Sequence, residues 1–168
     1  MIPDYDLQLR AVIKALREVV APAIDTGERL AIEQLQLALA TLAMLASRLP
    51  LERRRVRQEL RNALALAAAL QAAAGPAAAG LTAPMQTARA AHADVDCATV
   101  DLDQIRTVLL SAVCTVIETP VDEATAQQLA RVVVAASKPT IDLHRAWCAS
   151  AGFEANPATL IALESILK

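Results

Sequence analysis

The sequence predicts an all-α protein, and three observations lead to this prediction. Hydrophobic residues make up 55% of the 168, with a great deal of alanine, the residue of highest helix propensity. Apolar side chains recur every three to four positions, as on one face of a helix. Alternating β-branched and aromatic runs, which are typical of strands, are almost absent. We therefore expect a single domain, 1–168, built as a helical bundle of about seven to eight helices with mostly antiparallel, up-down packing.

The second predicted helix is the most apolar element of the first half. A strict three-four spacing gives it one apolar stripe, which consists of Ile32, Leu35, Leu39, Leu42, Ala46 and Leu49. A second apolar stripe comprises Leu30, Leu37 and Met44. A helix that is apolar on most sides is expected at the centre of a bundle.

The third predicted helix follows Pro50 and ends at Gly75-Pro76. Its apolar stripe consists of Val56, Leu60, Ala63, Ala67 and Leu70. The next stretch, GPAAAGLTAP, has two glycines and two prolines in ten residues. This composition predicts a flexible linker near 75–84 between two helical halves.

Capping residues mark the helices of the second half. Asp101 with Gln104 forms a capping-box pattern before an apolar helix, and Asp122 is placed to cap the next one. Pro139 predicts a kink or break within that helix.

Net charge, the N-terminal pattern and the cysteines argue against several functional classes. The net charge is −2, which gives no general attraction to nucleic acid or to an anionic membrane. The N-terminus lacks the pattern of a signal peptide, and no apolar stretch is long enough to predict a membrane span. Three cysteines without framework spacing fit reduced thiols. We expect a cytoplasmic protein that binds neither nucleic acid nor membrane and carries no cofactor.

An arginine cluster is the most unusual local feature. Six arginines lie between Arg48 and Arg61, and Arg53, Arg57 and Arg61 fall on one helix face at intervals of four. Guanidinium groups bind phosphates and carboxylates well, so an anionic or acyl, CoA-like ligand is one interpretation. The alternative is a solvated or partner-facing surface, because no phosphate-binding loop accompanies the cluster.

The histidines and cysteines allow a metal site as a less favoured alternative. His92 lies near Cys97, and His144 lies four residues before Cys148. Two histidines and two cysteines would make a tetrahedral zinc site if the pairs met. Buried helical cysteine is also an ordinary core residue, so the sequence predicts no metal.

An enzyme reading is possible with Cys148 as nucleophile, His144 as base and Asp142 as the group that orients it. Asp142 and His144 are two positions apart on a helix and point to different sides, which argues against this triad. The acidic residues Asp94, Asp96, Asp101 and Asp103 lack the glycine and glutamate of a calcium loop. We therefore predict no catalytic residues.

The opening hairpin, VIKALREVVAPAID followed by ERLAIEQLQLALATLAMLASRL, resembles the start of a group of small uncharacterised all-α bacterial proteins. Those proteins are encoded near acyl-CoA dehydrogenase-like and aminoglycoside-phosphotransferase-like enzymes. The resemblance covers about the first third of the chain. It implies an accessory role near acyl-CoA or small-molecule metabolism, and it carries no catalytic residues.

These observations together favour a non-catalytic helical protein that acts by association, as a homo-oligomer or with a helical partner. The chain has no coherent catalytic constellation and more apolar helix surface than one short bundle can hide. A binder of an anionic small molecule through the arginine cluster is the alternative.

Overall fold

The computed structural model describes residues 4–119, 121–151 and 154–168, and within them the chain is all-α without a strand. The α-helices are α1 Tyr5–Ala15, α2 Arg29–Arg48, α3 Glu52–Ala74, α4 Thr82–Ala93, α5 Thr99–Glu118, α6 Glu123–Cys148 and α7 Leu163–Ile166. A π-helical turn, Leu16–Val20, and a last turn, Ala21–Ala23, extend α1. Shorter 3-10 segments are Leu49–Leu51, Gly75–Leu81, Ala149–Ala151 and Pro157–Thr159.

The expected count of seven to eight separate helices is not confirmed. The segments Leu49–Leu51 and Gly75–Leu81 are themselves helical, and each carries its proline in the first turn, where no intrahelical amide bond is lost. Helices α2, α3 and α4 therefore follow one another without a break over 29–93. Apart from the turn Pro157–Thr159, the described residues form five helical stretches, which are 5–23, 29–93, 99–118, 123–151 and 163–166.

Backbone contacts divide the chain into two compact units. In the described residues, the first unit comprises 4–52, 147–151 and 154–157, and the second comprises 53–119, 121–146 and 158–168.

The first unit has almost no buried core. Helix α1 packs against α2, yet no residue of α1 is buried. Leu39 of α2, 6% exposed, is the one buried side chain among the residues described in this unit. The prediction that α2 is a central, buried helix is therefore wrong. Helix α1 packs against α2 with only one of its faces, so it covers only part of the apolar surface of α2.

The second unit holds the core, and α3 supplies its main stripe. Val56, Leu60, Ala63, Ala67 and Leu70 are all buried, which confirms the stripe expected from their spacing. Side chains of α4, α5 and α6 complete this core, among them Met85, Leu102, Leu109 and Leu129. Helix α3 is therefore more deeply buried than α2, although it carries most of the arginine cluster.

The expected linker at 75–84 is instead part of this core. Ala78 and Leu81 are fully buried, and the segment Gly75–Leu81 packs against α4 and α5. Gly75 has φ of +54°, so glycine provides the left-handed turn that ends α3. Residues 75–84 lie wholly within the second unit, and the first unit ends at Glu52 instead.

Two helix N-caps were predicted in the second half of the chain, and the structure has one of them. Helix α5 begins at Thr99 with no side-chain cap, so Asp101 lies inside the first turn. Asp122 does cap α6, accepting from the backbone N–H of Thr125 at 3.0 Å and from its hydroxyl at 2.6 Å. Helix α6 continues through Pro139 without a break.

The helical run 29–93 includes an 18-residue window with a mean hydropathy of 1.5, of which 22% is buried. In the part of the chain that the structure describes, this is the one helix whose length and composition alone would suffice to cross a membrane. The expectation of a cytoplasmic protein without membrane contact stays a prediction.

Candidate functional sites

The two apolar stripes of α2 have different surroundings in the first unit. Ile32, Leu35, Leu39 and Leu42 lie on the side that is partly or fully buried. Leu30 and Leu37 lie on the other side and are 69% and 64% exposed. We call the outward side, made of Leu30, Leu37, Thr41 and the partly buried Met44, the α2 outer face.

Arg53 and Arg57 bind backbone carbonyls at the end of α4. Arg53 donates to the carbonyl of Cys97 at 2.8 Å and to that of Val95. Arg57 donates to the carbonyl of Asp94 at 3.0 Å and to that of His92. Helix α4 ends at Ala93, and the last carbonyls of a helix have no partner within it, so Arg57 caps the C-terminus of α4. Arg53 instead holds the segment that follows this helix. Two of the three arginines expected to bind a ligand therefore have a structural role.

Arg61 lies beside a surface cleft of about 370 Å³. Its cationic walls are Arg54, Arg57, Arg61 and Lys168, and no acidic residue lines it. Arg54 and Arg61 are exposed, and both leave their guanidinium groups available to solvent. The structure thus places Arg57 and Arg61 at one cleft, adds Arg54 and Lys168, and leaves Arg53 out.

His92 lies close to the same arginines and has a buried ring nitrogen, Nε2, without a hydrogen-bond partner in the described residues. Burial lowers the pKa of His92 below its ordinary value, and the positive charges of Arg57 and Arg61 lower it further. The neutral imidazole is therefore the favoured form at neutral pH.

The four residues of the metal alternative do not converge. Among the residues that the structure describes, no group of three or more histidine, cysteine, aspartate or glutamate side chains is close enough to hold a metal ion. All three cysteines are free thiols, and Cys114 and Cys148 are exposed. Asp142 pairs with Lys138 of its own helix, with Oδ2 2.5 Å from Nζ, so it does not orient His144.

His144 instead contacts Glu59, a residue that was not among the candidates predicted from the sequence. The Nε2 atom of His144 lies 3.0 Å from Oε1 of Glu59 across two helices. Glu59 is only 4% exposed, and Arg55 donates to the same oxygen at 2.5 Å. Buried carboxylates are rare unless they are paired, and Glu59 is paired on one oxygen.

The second oxygen of Glu59 has no hydrogen bond. Its Oε2 lies 3.5 Å from Nε of Arg106, an ion-pair distance, but that Nε donates to Asp103 instead. Beside it, the buried Asn62 accepts from Gln58 through Oδ1 at 2.9 Å, while its amide Nδ2 has no partner in the described residues. Two adjacent buried side chains thus each hold one unsatisfied polar atom.

Glu59 and Asn62 line a cavity of about 410 Å³ in the second unit. Its apolar walls come from Ala63, Leu66, Leu110 and Ile141, and α6 adds the hydroxyl residues Ser137 and Thr140. An apolar pocket of this volume with a few converging polar groups is typical of small-molecule sites.

A signal for Glu59 was present in the sequence. It comes three residues after Val56 and four before Ala63, so it occupies the same face as the core stripe of α3.

Comparison with protein-family models, with curated proteins and with solved structures found no match to this chain. The resemblance of the opening hairpin to small bacterial helical proteins therefore stays a prediction.

Proposed function

We propose that this chain is a non-catalytic association protein that pairs with a second copy of itself through the α2 outer face. The observation that carries the proposal is the contrast between an apolar α2 and a first unit in which Leu39 is the one buried side chain described. Hydrophobic burial is the main favourable term in folding, so such a unit gains stability from a partner that covers it.

The charge pattern of α2 supports a second copy as this partner. Residues 34–47 contain no charged side chain, so an identical helix can cover them without burying a charge. Glu33 lies at one end of this stretch and Arg48 at the other. An antiparallel pair centred between Ala40 and Thr41 sets Glu33 of one copy opposite Arg48 of the other.

The same register also pairs apolar residues. It sets Leu37 of one copy opposite Met44 of the other, and both belong to the outward stripe. A two-fold symmetric contact of this kind is the commonest way in which identical chains associate.

Sedimentation velocity of the purified chain tests the proposal. We expect a dimer or a larger species for the wild type and a monomer for Leu30→Glu/Leu37→Glu, because the new carboxylates would be desolvated in the interface. Val95→Glu/Val100→Glu is the matched control, since these residues of the second unit are 74% and 73% exposed. It should sediment like the wild type.

A monomeric wild type, or a control that dissociates as readily as the α2 variant, would overturn the proposal. A wild type that is monomeric in buffer but pellets with phosphatidylcholine vesicles would also overturn it, and would assign the α2 outer face to a membrane instead.

A second candidate function is the binding of an anionic small molecule in the cationic cleft. The observation that favours it is the set of four cationic residues around about 370 Å³ without an acidic neighbour in the lining. Arg54→Ala/Arg61→Ala tests it more cleanly than a variant of Arg57, which also caps α4. Loss of thermal stabilisation by coenzyme A in this variant would support the function, and equal stabilisation of both proteins would remove it.

A further inference from the structure

We propose that the cavity beside Glu59 and Asn62 is a binding site for a small neutral molecule that carries a hydrogen-bond donor next to an acceptor, as a primary carboxamide does, on an apolar body. This site is distinct from the α2 outer face, and it shares no lining residue with the cationic cleft.

Two unsatisfied atoms define the polar end of the ligand. Oε2 of Glu59 needs a donor and Nδ2 of Asn62 needs an acceptor. Leaving a polar group buried without a partner costs about 1–3 kcal/mol, so natural proteins rarely keep two of them side by side without a use. A carboxamide gives its N–H to Glu59 and accepts from Asn62 through its carbonyl.

The terminal torsions of these two side chains allow the contact. Both atoms are covered in the structure, while their residues line the cavity. The last torsion of asparagine and of glutamate is broad, so a ligand in the cavity can be met by rotation about this bond in each side chain.

The local charges select a neutral ligand. Arg55 lies 2.5 Å from the Glu59 carboxylate and Arg106 lies 3.5 Å from it, while Arg106 is shared with Asp103 at 2.7 Å. The Glu59 carboxylate therefore already has cationic neighbours in Arg55 and Arg106 and does not need a cationic ligand to offset its charge. A carboxylate ligand would place a lone pair against Oε2 of Glu59, and an ammonium ligand would leave Asn62 without an acceptor.

The remaining walls select an apolar body. Leu66, Leu110 and Ile141 face the cavity, and burying each methylene group of a ligand contributes about 0.8 kcal/mol. A short unbranched chain suits these walls.

The test compares three probes that share one chain and differ only at the polar end: hexanamide, hexanoate and hexylamine. Each is titrated into the full-length protein, with the side-chain NH₂ signals of Asn62 followed by NMR. We expect hexanamide to shift these signals and to bind at least about tenfold more tightly than the other two, because each of those leaves one buried group unpaired.

Two variants make the test specific. Asn62→Leu keeps the side-chain size and removes both an unsatisfied donor and the acceptor of Gln58, so we expect a folded protein, checked by thermal unfolding, that loses hexanamide affinity by about tenfold or more. Arg54→Ala changes only the cationic cleft and should bind hexanamide like the wild type. Equal binding of all three probes, hexanamide binding that survives Asn62→Leu, or unchanged Asn62 signals throughout would each overturn the proposal.

Discussion

The two units of this chain use apolar residues in opposite ways. The first unit contains the most apolar helix, α2, yet Leu39 alone is buried among its described residues. The second unit contains the arginine-rich α3, yet this helix has five fully or largely buried apolar residues and two buried polar ones. Burial depends on how many neighbouring helices cover a face, whereas the composition of the helix only decides whether covering it is favourable. Our proposal of a second copy as partner therefore concerns the first unit, where apolar surface is left exposed.

The largest expected difference between the units is the effect of removing one leucine from each. Leu60→Ala in the second unit should lower the free energy of unfolding by about 2–5 kcal/mol, because Leu60 is fully buried. Leu37→Ala in the first unit should change it by less than about 0.5 kcal/mol in dilute solution, because Leu37 is exposed. Urea unfolding of both variants measures the difference, and equal losses would contradict the contrast between the units.

The next prediction compares an arginine that binds backbone carbonyls with an arginine that is exposed in the cationic cleft. Arg57→Ala should lower stability by about 1–3 kcal/mol, because it removes donors from the carbonyls of His92 and Asp94. Arg54→Ala should stay within about 0.5 kcal/mol of the wild type, since Arg54 is exposed in the cleft. Thermal unfolding of the two variants checks this prediction. A loss of stability in Arg54→Ala as large as that in Arg57→Ala would contradict the role of Arg57 as the cap of α4.

A pH effect of smaller size should come from His92. Burial and two arginines lower its pKa in the folded protein, so the unfolded chain binds a proton first as pH falls. Stability should therefore be complete above the unfolded pKa, about 6.5, and decline as pH falls below it. His92→Gln should remove this part of the pH dependence, which unfolding measurements between neutral and mildly acidic pH would detect. A variant with the same slope as the wild type would count against the assignment.

The smallest effect concerns the start of α6. The hydrogen bonds from Thr125 lower the pKa of Asp122, so the stability it contributes is present above its unfolded pKa and is lost as pH falls through the lower folded value. Asp122→Ala should increase amide exchange in the first turn of α6. Asp101→Ala is the comparison, because Asp101 also lies in a first turn but caps nothing. Similar fraying in both variants would mean that proximity to the helix dipole, rather than the cap, matters.

The fold class and the core stripe of α3 could be predicted from the sequence, because both depend on local spacing. The sequence did not reveal which apolar stripe of α2 is covered, since that depends on α1 and on the turn Ala149–Ala151, which both pack against α2. The segment 75–84 was expected to be a linker because of its glycines and prolines, but Ala78 and Leu81 bury themselves in the core.

The candidate sites were harder to predict than the fold. The arginine spacing placed Arg57 and Arg61 at one cleft, but the carbonyls bound by Arg53 and Arg57 come from a segment more than thirty residues away. The buried position of Glu59 was visible in its spacing from Val56 and Ala63. The pairing of Glu59 with His144, 85 residues later, could not be predicted from spacing, because only tertiary packing brings α3 and α6 together.

Hydrogen exchange at several protein concentrations tests the central claim most directly. If the α2 outer face pairs with a second copy, protection of the α2 amides should rise with protein concentration, because association stabilises the first unit by mass action. Protection of the α3 amides at the core stripe should not change, since their burial lies within the second unit. Protection in α2 that is high and independent of concentration, in a chain that stays monomeric, would contradict the account.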